Sequence, residues 1–299
     1  MKAVCALTLL ACSALAQAPV RSTVWAPKPD KTPRYIPPHK ALTKLVDVKA
    51  AHADQNGWRQ VVVDDNILHG EWIQAAPGTK EPKVLHPDTR TFWIVWEGQI
   101  RFAIEGQEPF TASKGWIVQV PYQTFFSVET VGDAPSLRYE VNVGRAHTLY
   151  AEQKDAPPME GYHWMPVKMA RKPGMYEHDN KPYRTYEELA QLSEAHKAPS
   201  HVIWDDRMVG NFLYGYGSKL PPIDESDVGH YHPESCESWF IMSGEIRYKI
   251  EGVGVFIAHP GDIVYVPPFT FHAPRWYGEG PSVRFAMNGY PDIAHLFEK

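Results

Sequence analysis

Three histidines and one glutamate, His230, His232, Glu237 and His272, stand at spacings that let a single metal ion gather them. In an extended strand alternate side chains share a face, so His230 and His232 point the same way while Tyr231 points away. Pro233, Glu234 and Ser235 favour a bend, and Glu237 then opens the apolar stretch SWFIMSG, which reads as the next strand and ends in a turn at Ser243-Gly244. Downstream, Pro260-Gly261 forms a turn, Asp262 to Val266 is β-rich, and Pro267-Pro268 leads to Phe271-His272. A closed antiparallel barrel brings that last imidazole back over the first three groups. Mixed imidazole and carboxylate ligation suits one borderline divalent metal (Mn, Fe, Ni, Cu or Zn), and four protein ligands leave an octahedral ion two open positions.

The run from His230 and His232 through Glu237 to Gly244, followed by Gly261-Asp262, Pro267 and His272, resembles the two motifs of the cupin superfamily. In metal-dependent cupins of the germin, oxalate-oxidising and quercetinase types these positions hold the three-histidine, one-glutamate ligand set. The resemblance therefore implies His230, His232, Glu237 and His272 as metal ligands. Two positions depart from the pattern: Asp224 replaces the glycine ahead of the first histidine, and Pro267-Pro268-Phe269 replaces Pro-x-Gly. Both lie in loops and leave the ligands intact.

The pattern occurs twice. His86-Pro87 aligns with His232-Pro233, Trp93 with Trp239, Gly98 with Gly244, Gly115 with Gly261, Pro121 with Pro267, Arg138 with Arg284 and Asn142 with Asn288, every pair 146 residues apart. Val63-Asp64-Asp65 echoes Trp204-Asp205-Asp206 at a smaller offset, which puts about five extra residues in the loop before His230. The fold expected is all-β: two tandem cupin barrels (double-stranded β-helix, jelly roll) with short flanking helices. The first copy carries Val84, Thr91 and Phe126 where the second has His230, Glu237 and His272, so only His86 survives and one imidazole does not hold a metal.

The length suits two β-domains. The boundaries read as a signal peptide over 1–16, an N-terminal extension with a short helix over 17–57, a metal-free cupin over 58–150, a linker with a short helix over 151–200, and a metal-binding cupin over 201–299. The leader MKAVCALTLLACSALA has one lysine, a short apolar core and a small-residue site for cleavage after Ala16, which implies a secreted or periplasmic protein. Cys5 and Cys12 leave with it, so the remaining Cys236 has no intrachain disulfide partner; strand alternation turns it away from Glu237. A net charge of −5 without a basic stripe argues against nucleic acid, and no apolar run is long enough for a membrane span. In the linker, Thr185-Tyr186-Glu187-Glu188 reads as a capping box opening a helix to about His196, and Lys40 to His52 has a similar look ahead of the first barrel.

Alternation from Glu237 puts Trp239 and Ile241 inside as pocket walls, and Ile246, Tyr248 and Ile250 share a face of the next strand. Tyr214 and Tyr216 share a face on the strand ahead of the ligand loop. Such a pocket favours a small organic substrate, phenolic, enolic or sugar-derived. Glu237 is the ligand able to loosen and accept a proton, with Tyr216 and Tyr248 as acid or base candidates. Arg247, Arg275 and Arg284 are candidates for binding a carboxylate, their orientation left open. The favoured function is an exported, metal-dependent oxidoreductase, dioxygenase- or oxidase-like. The alternatives are a metal-dependent lyase or isomerase of a sugar-derived or small acid substrate, and a non-catalytic sugar- or metal-binding bicupin. The resemblance also implies pairing into a homodimer.

Overall fold

The computed structural model describes residues 22–176, 180–290 and 293–298, so the leader over 1–16 lies outside them. The fold is all-β, two jelly-roll barrels, with two α-helices, Leu45–Ala51 and Tyr186–Glu194, among the described residues. No described helix is long and apolar enough to cross a membrane. Each barrel is a six-stranded sheet opposed to a five-stranded one. In the first barrel the larger sheet is built on Leu68–Ala75, Thr91–Glu97, Trp116–Val120 and Ser136–Val143, and the smaller on Val84–Leu85, Gln99–Ile104 and Phe126–Val131. In the second, the corresponding strands are Val209–Tyr216, Glu237–Ser243, Ile263–Val266 and Pro281–Asn288, against His230–Tyr231, Glu245–Ile250 and His272–Tyr277.

The registers carry the internal repeat into space. Val84 pairs with Phe126 as His230 pairs with His272, and Trp93 pairs with Glu140 as Trp239 pairs with Ala286. Turns repeat as well: Asp65 accepts from the backbone of Ile67 and Leu68, and Asp205 from that of Arg207 and Met208. Each barrel also receives a strand from outside its own repeat. Leu42–Thr43 extends the larger sheet of the second barrel along Ile263–Val266, whereas Tyr183–Thr185 extends that of the first along Trp116–Val120. The helix after Tyr183–Thr185 is capped as its sequence implies, with the Thr185 hydroxyl accepting from Glu188 N at 3.1 Å, and its Leu189 is fully buried.

Strand alternation divides the apolar residues into three cores. Inside the first barrel lie Trp93, Phe102, Phe126 and their neighbours; inside the second, Trp239, Ile241, Ile246, Tyr248 and Ile250. The opposite faces of the two six-stranded sheets pack on one another and bury a third core between the barrels. At its centre the Phe240 ring lies 5.4 Å from Trp72, 5.4 Å from Trp96 and 5.7 Å from Tyr139, while Phe92 meets Phe285 at 5.6 Å. Cys236 is buried in this core, facing away from Glu237. The strand that carries Glu237 thus presents one face to the barrel interior and the other to the neighbouring barrel.

Truncating Phe240 should leave a cavity that two rigid sheets cannot close. Phe240→Ala is expected to lower stability by about 3–5 kcal/mol in chemical denaturation; a loss under about 1 kcal/mol would show that the barrels do not depend on this contact.

Candidate metal centre

Two strand pairs and one glycine assemble the cluster. His230 sits opposite His272 in the smaller sheet, and Glu237 begins a strand of the facing sheet, so the barrel must be closed for the groups to meet. Gly229 makes the approach feasible: its φ is +75°, and a Cβ there would lie 2.0 Å from the His272 carbonyl oxygen. One ligand atom from each of His230, His232, Glu237 and His272 can be chosen so that all lie within 4.8 Å of one another, and all but His230 are buried. The four residues bracketed by the sequence therefore converge.

Hydrogen bonding settles which ring nitrogens face inward. His232 Nδ1 donates to the Ala294 carbonyl at 2.8 Å, and His272 Nδ1 to the Thr270 carbonyl at 2.9 Å. A neutral imidazole that donates through Nδ1 keeps a lone pair on Nε2. Yet both Nε2 atoms face the same carboxylate oxygen, Glu237 Oε2, at 2.9 and 3.2 Å. Lone pairs and a carboxylate in that arrangement repel unless a proton or a metal cation lies among them. The buried Nε2 of His230 has no hydrogen-bond partner among the described residues, which is the condition of a ligand atom rather than of a structural histidine. The donor set thus fits one divalent transition ion, its rings oriented by backbone carbonyls in the manner of metal-ligating histidines.

The electrostatics agree. Burial pushes the Glu237 carboxyl up, but hydrogen bonds from His232 and His272, with the charge on those rings, prevail and hold it well below the usual carboxylate range. Burial likewise pulls His232 down, and its bonds to Glu237 and Ala294 outweigh that and leave it raised. His230 is pushed down to about 3, first by burial and then by the neighbouring imidazoles. Burial raises Tyr248 far above the ordinary phenol range, so its hydroxyl keeps its proton at neutral pH and can donate it in a hydrogen bond.

The predicted pocket residues divide. Trp239 and Ile241 are fully buried and face the interior, the Trp239 ring 5.3 Å from His272 and 5.2 Å from Tyr248. Tyr216 is a correction. It shares the outer face of its strand with Phe212 and Tyr214, and both tyrosine hydroxyls bond Glu194 on the linker helix, so it takes no acid or base role. Strand alternation, counted without knowing which face of that strand was internal, could not separate the two possibilities. Of the three arginines, Arg247 donates to both carboxylate oxygens of Glu225 and Arg275 to the Pro221 carbonyl, leaving Arg284 as the one turned inward.

Ala294 and His295 belong to the site and carry no motif. The segment Leu296–Phe297 pairs with His230–Tyr231, which delivers the Ala294 carbonyl to His232 and sets the His295 ring 4.6 Å from His230 and 4.7 Å from His232. The first barrel repeats the arrangement: Leu149–Tyr150 pairs with Val84–Leu85, and His86 Nδ1 donates to the His147 carbonyl at 3.0 Å. His86 keeps the backbone bond of His232 but faces Phe126, its ring 5.6 Å away, in place of a ligand. The repeat offset, lengthened by one residue past the last strand, is the signal that reveals this segment.

Residues 218–287 match the family described as Cupin domain. No curated protein matches the chain. Among solved structures the chain is similar to the salicylate 1,2-dioxygenase of Pseudaminobacter salicylatoxidans, 11% identical over 83% of this chain and 82% of that one, with a TM-score of 0.58. A mutant of that enzyme in complex with gentisate is 11% identical over 88% of both chains, with a TM-score of 0.58. An oxalate decarboxylase of Lactobacillus farciminis is 11% identical over 81% of this chain and 84% of that one, with a TM-score of 0.49. At these identities the likeness is one of fold.

Two outcomes follow. In the metal-free protein the His232–Glu237 pair stabilises fully below the ordinary histidine pKa and loses its contribution as pH rises through the raised value. A metal must displace that proton, so apparent affinity should rise about tenfold per pH unit until His232 is neutral and then level off; titration calorimetry showing no pH dependence on the acid side would contradict this. Removing residues 293–299 should weaken metal binding about 10–100-fold, because His232 loses the carbonyl that orients it; unchanged affinity in a competition assay would show that the segment does not orient the ligand.

Proposed function

We propose that the protein, whose residues 218–287 match the family described as Cupin domain, is a metal-dependent oxidoreductase, dioxygenase- or oxidase-like, acting on a small organic molecule bound beside His230, His232, Glu237 and His272. The observation that carries this reading is the convergence of two Nδ1-anchored imidazoles and the unpartnered His230 Nε2 on one carboxylate. A divalent transition ion held by these four side chains supplies Lewis acidity and, for Fe, Mn, Cu or Ni, redox chemistry toward a chelating substrate. The chain's own groups do the rest. The Ala294 and Thr270 carbonyls hold two rings in orientation, and Trp239, Ile241 and Tyr248 form a buried wall. Glu237 is the ligand placed to loosen and take a proton once the two imidazoles that hold its carboxyl low in the metal-free protein bond the ion instead.

The choice of redox chemistry is supported by the fold shared with a salicylate 1,2-dioxygenase and by the aromatic side chains Trp239 and Tyr248 that stand beside the cluster. The reading includes export, carried by the leader-like residues 1–16, and two working units over 58–150 and 201–299, of which only the second handles metal.

An oxygen electrode tests the proposal. Protein reconstituted with Fe, Mn, Cu or Ni should consume dioxygen in proportion to substrate with at least one enediol, phenolic or flavonoid compound, and His272→Ala should reduce uptake to background. Turnover that continues under argon would assign the site to a lyase or isomerase instead.

A further inference from the structure

Resting on this reading of the C-terminal site, we propose that its substrate is a small organic acid, and that its carboxylate is received one layer below the metal ligands by Trp239 Nε1, Tyr248 Oη and the Arg284 guanidinium. The two barrels supply the argument, because they hold the same tryptophan and the same arginine in the same register. Trp93 pairs with Glu140 and Val95 with Arg138; Trp239 pairs with Ala286 and Ile241 with Arg284. In the first barrel the Glu140 carboxylate fills the space between them. It accepts from Trp93 Nε1 at 2.6 Å and lies 3.8 Å from Arg138 Nε, and Glu81 also pairs with that guanidinium.

The second barrel differs at two positions. Ala286 stands at the place of Glu140 and offers no acceptor, and Tyr248 stands at the place of Phe102 and adds a donor. Trp239 Nε1, Tyr248 Oη and Arg284 Nε and Nη1 are consequently all buried without a hydrogen-bond partner among the described residues. Trp239 and Tyr248 are fully buried and Arg284 is 8% exposed, stacked on Trp276 at 4.9 Å. Such donors are costly to leave unmade, an interior guanidinium most of all. Every one of these nitrogens is donor-only, so the partner they select is an acceptor-rich anion, and a carboxylate is the anion that the sister barrel places there.

The position also sets the shape of the ligand. Trp239 is two residues along the strand from Glu237, a rise of about 7 Å. An acid that reaches both places carries its carboxylate about one aromatic ring, or a short chain, away from its chelating oxygens.

Propionate reproduces the glutamate side chain from its Cβ outward, so propionate and neutral propionamide are matched probes, and zinc-loaded full-length protein keeps the site diamagnetic. Propionate should shift the Trp239 indole N–H resonance, assigned with Trp239→Phe, and bind at least about tenfold more tightly than propionamide, since ionised acceptors make the stronger bonds. Ala286→Glu should keep one zinc per chain, show that resonance already shifted, and no longer respond to propionate. Tyr248→Phe, the milder change, should weaken propionate binding several-fold if Ala286→Glu does not fold. Equal binding of acid and amide, no binding of either, or an undiminished response in the variant that folds would overturn the proposal. Because binding to the zinc form requires no turnover, failure here is distinct from failure of the oxidoreductase reading.

Discussion

Everything around the second barrel's mouth serves to hold two neutral-type imidazoles and a carboxylate closer together than they would remain unaided. His232 and His272 each spend Nδ1 on a backbone carbonyl and turn Nε2 onto Glu237 Oε2. That arrangement is stable only with positive charge among them, a proton in the metal-free protein or a divalent ion in the loaded one. The barrel supplies the constraint: Glu237 comes from one sheet, His230 and His272 from the other, and the Ala294 carbonyl from the last strand pair. The inter-barrel core then immobilises the strand that carries Glu237, since Phe240 on its outer face is wedged among Trp72, Trp96 and Tyr139.

The first barrel shows what the same frame becomes without that demand. Val84, Thr91 and Phe126 replace three ligands, and apolar packing together with the Arg138–Glu81–Glu140 ion pairs fills the interior. His86 retains only its backbone anchor. In the first copy Glu140 accepts from Trp93 and Glu81 pairs with Arg138, leaving Arg138 Nε as its unbonded interior donor, whereas the second leaves its metal-facing nitrogen and the donors of Trp239, Tyr248 and Arg284 for something from outside.

Much of this was legible in the chain. The spacing of His230, His232, Glu237 and His272, the offset between the copies, and the inward alternation of Trp239, Ile241 and Tyr248 depend on strand geometry alone, and sequence records that directly. The Thr185 cap was legible for the same local reason. Four features were not. Tyr216 lies outside because the face of a strand that is internal depends on closure, which periodicity does not reveal. The orientation of Arg284 depends on the same closure. Ala294 acts through its backbone carbonyl, and a carbonyl leaves no trace in residue type. The exchange of strands at Leu42–Thr43 and Tyr183–Thr185 was likewise hidden, since two-residue and three-residue strands carry no periodic signal.

Anomalous diffraction at the absorption edge of the bound metal tests the central claim most directly. The account predicts one peak per chain, coordinated by His230, His232, Glu237 and His272, with none inside the barrel that holds His86. A peak coordinated elsewhere, a second peak in the first barrel, or an ordered His232–Glu237 pair with no peak in protein soaked with Mn, Fe, Cu or Zn would contradict it.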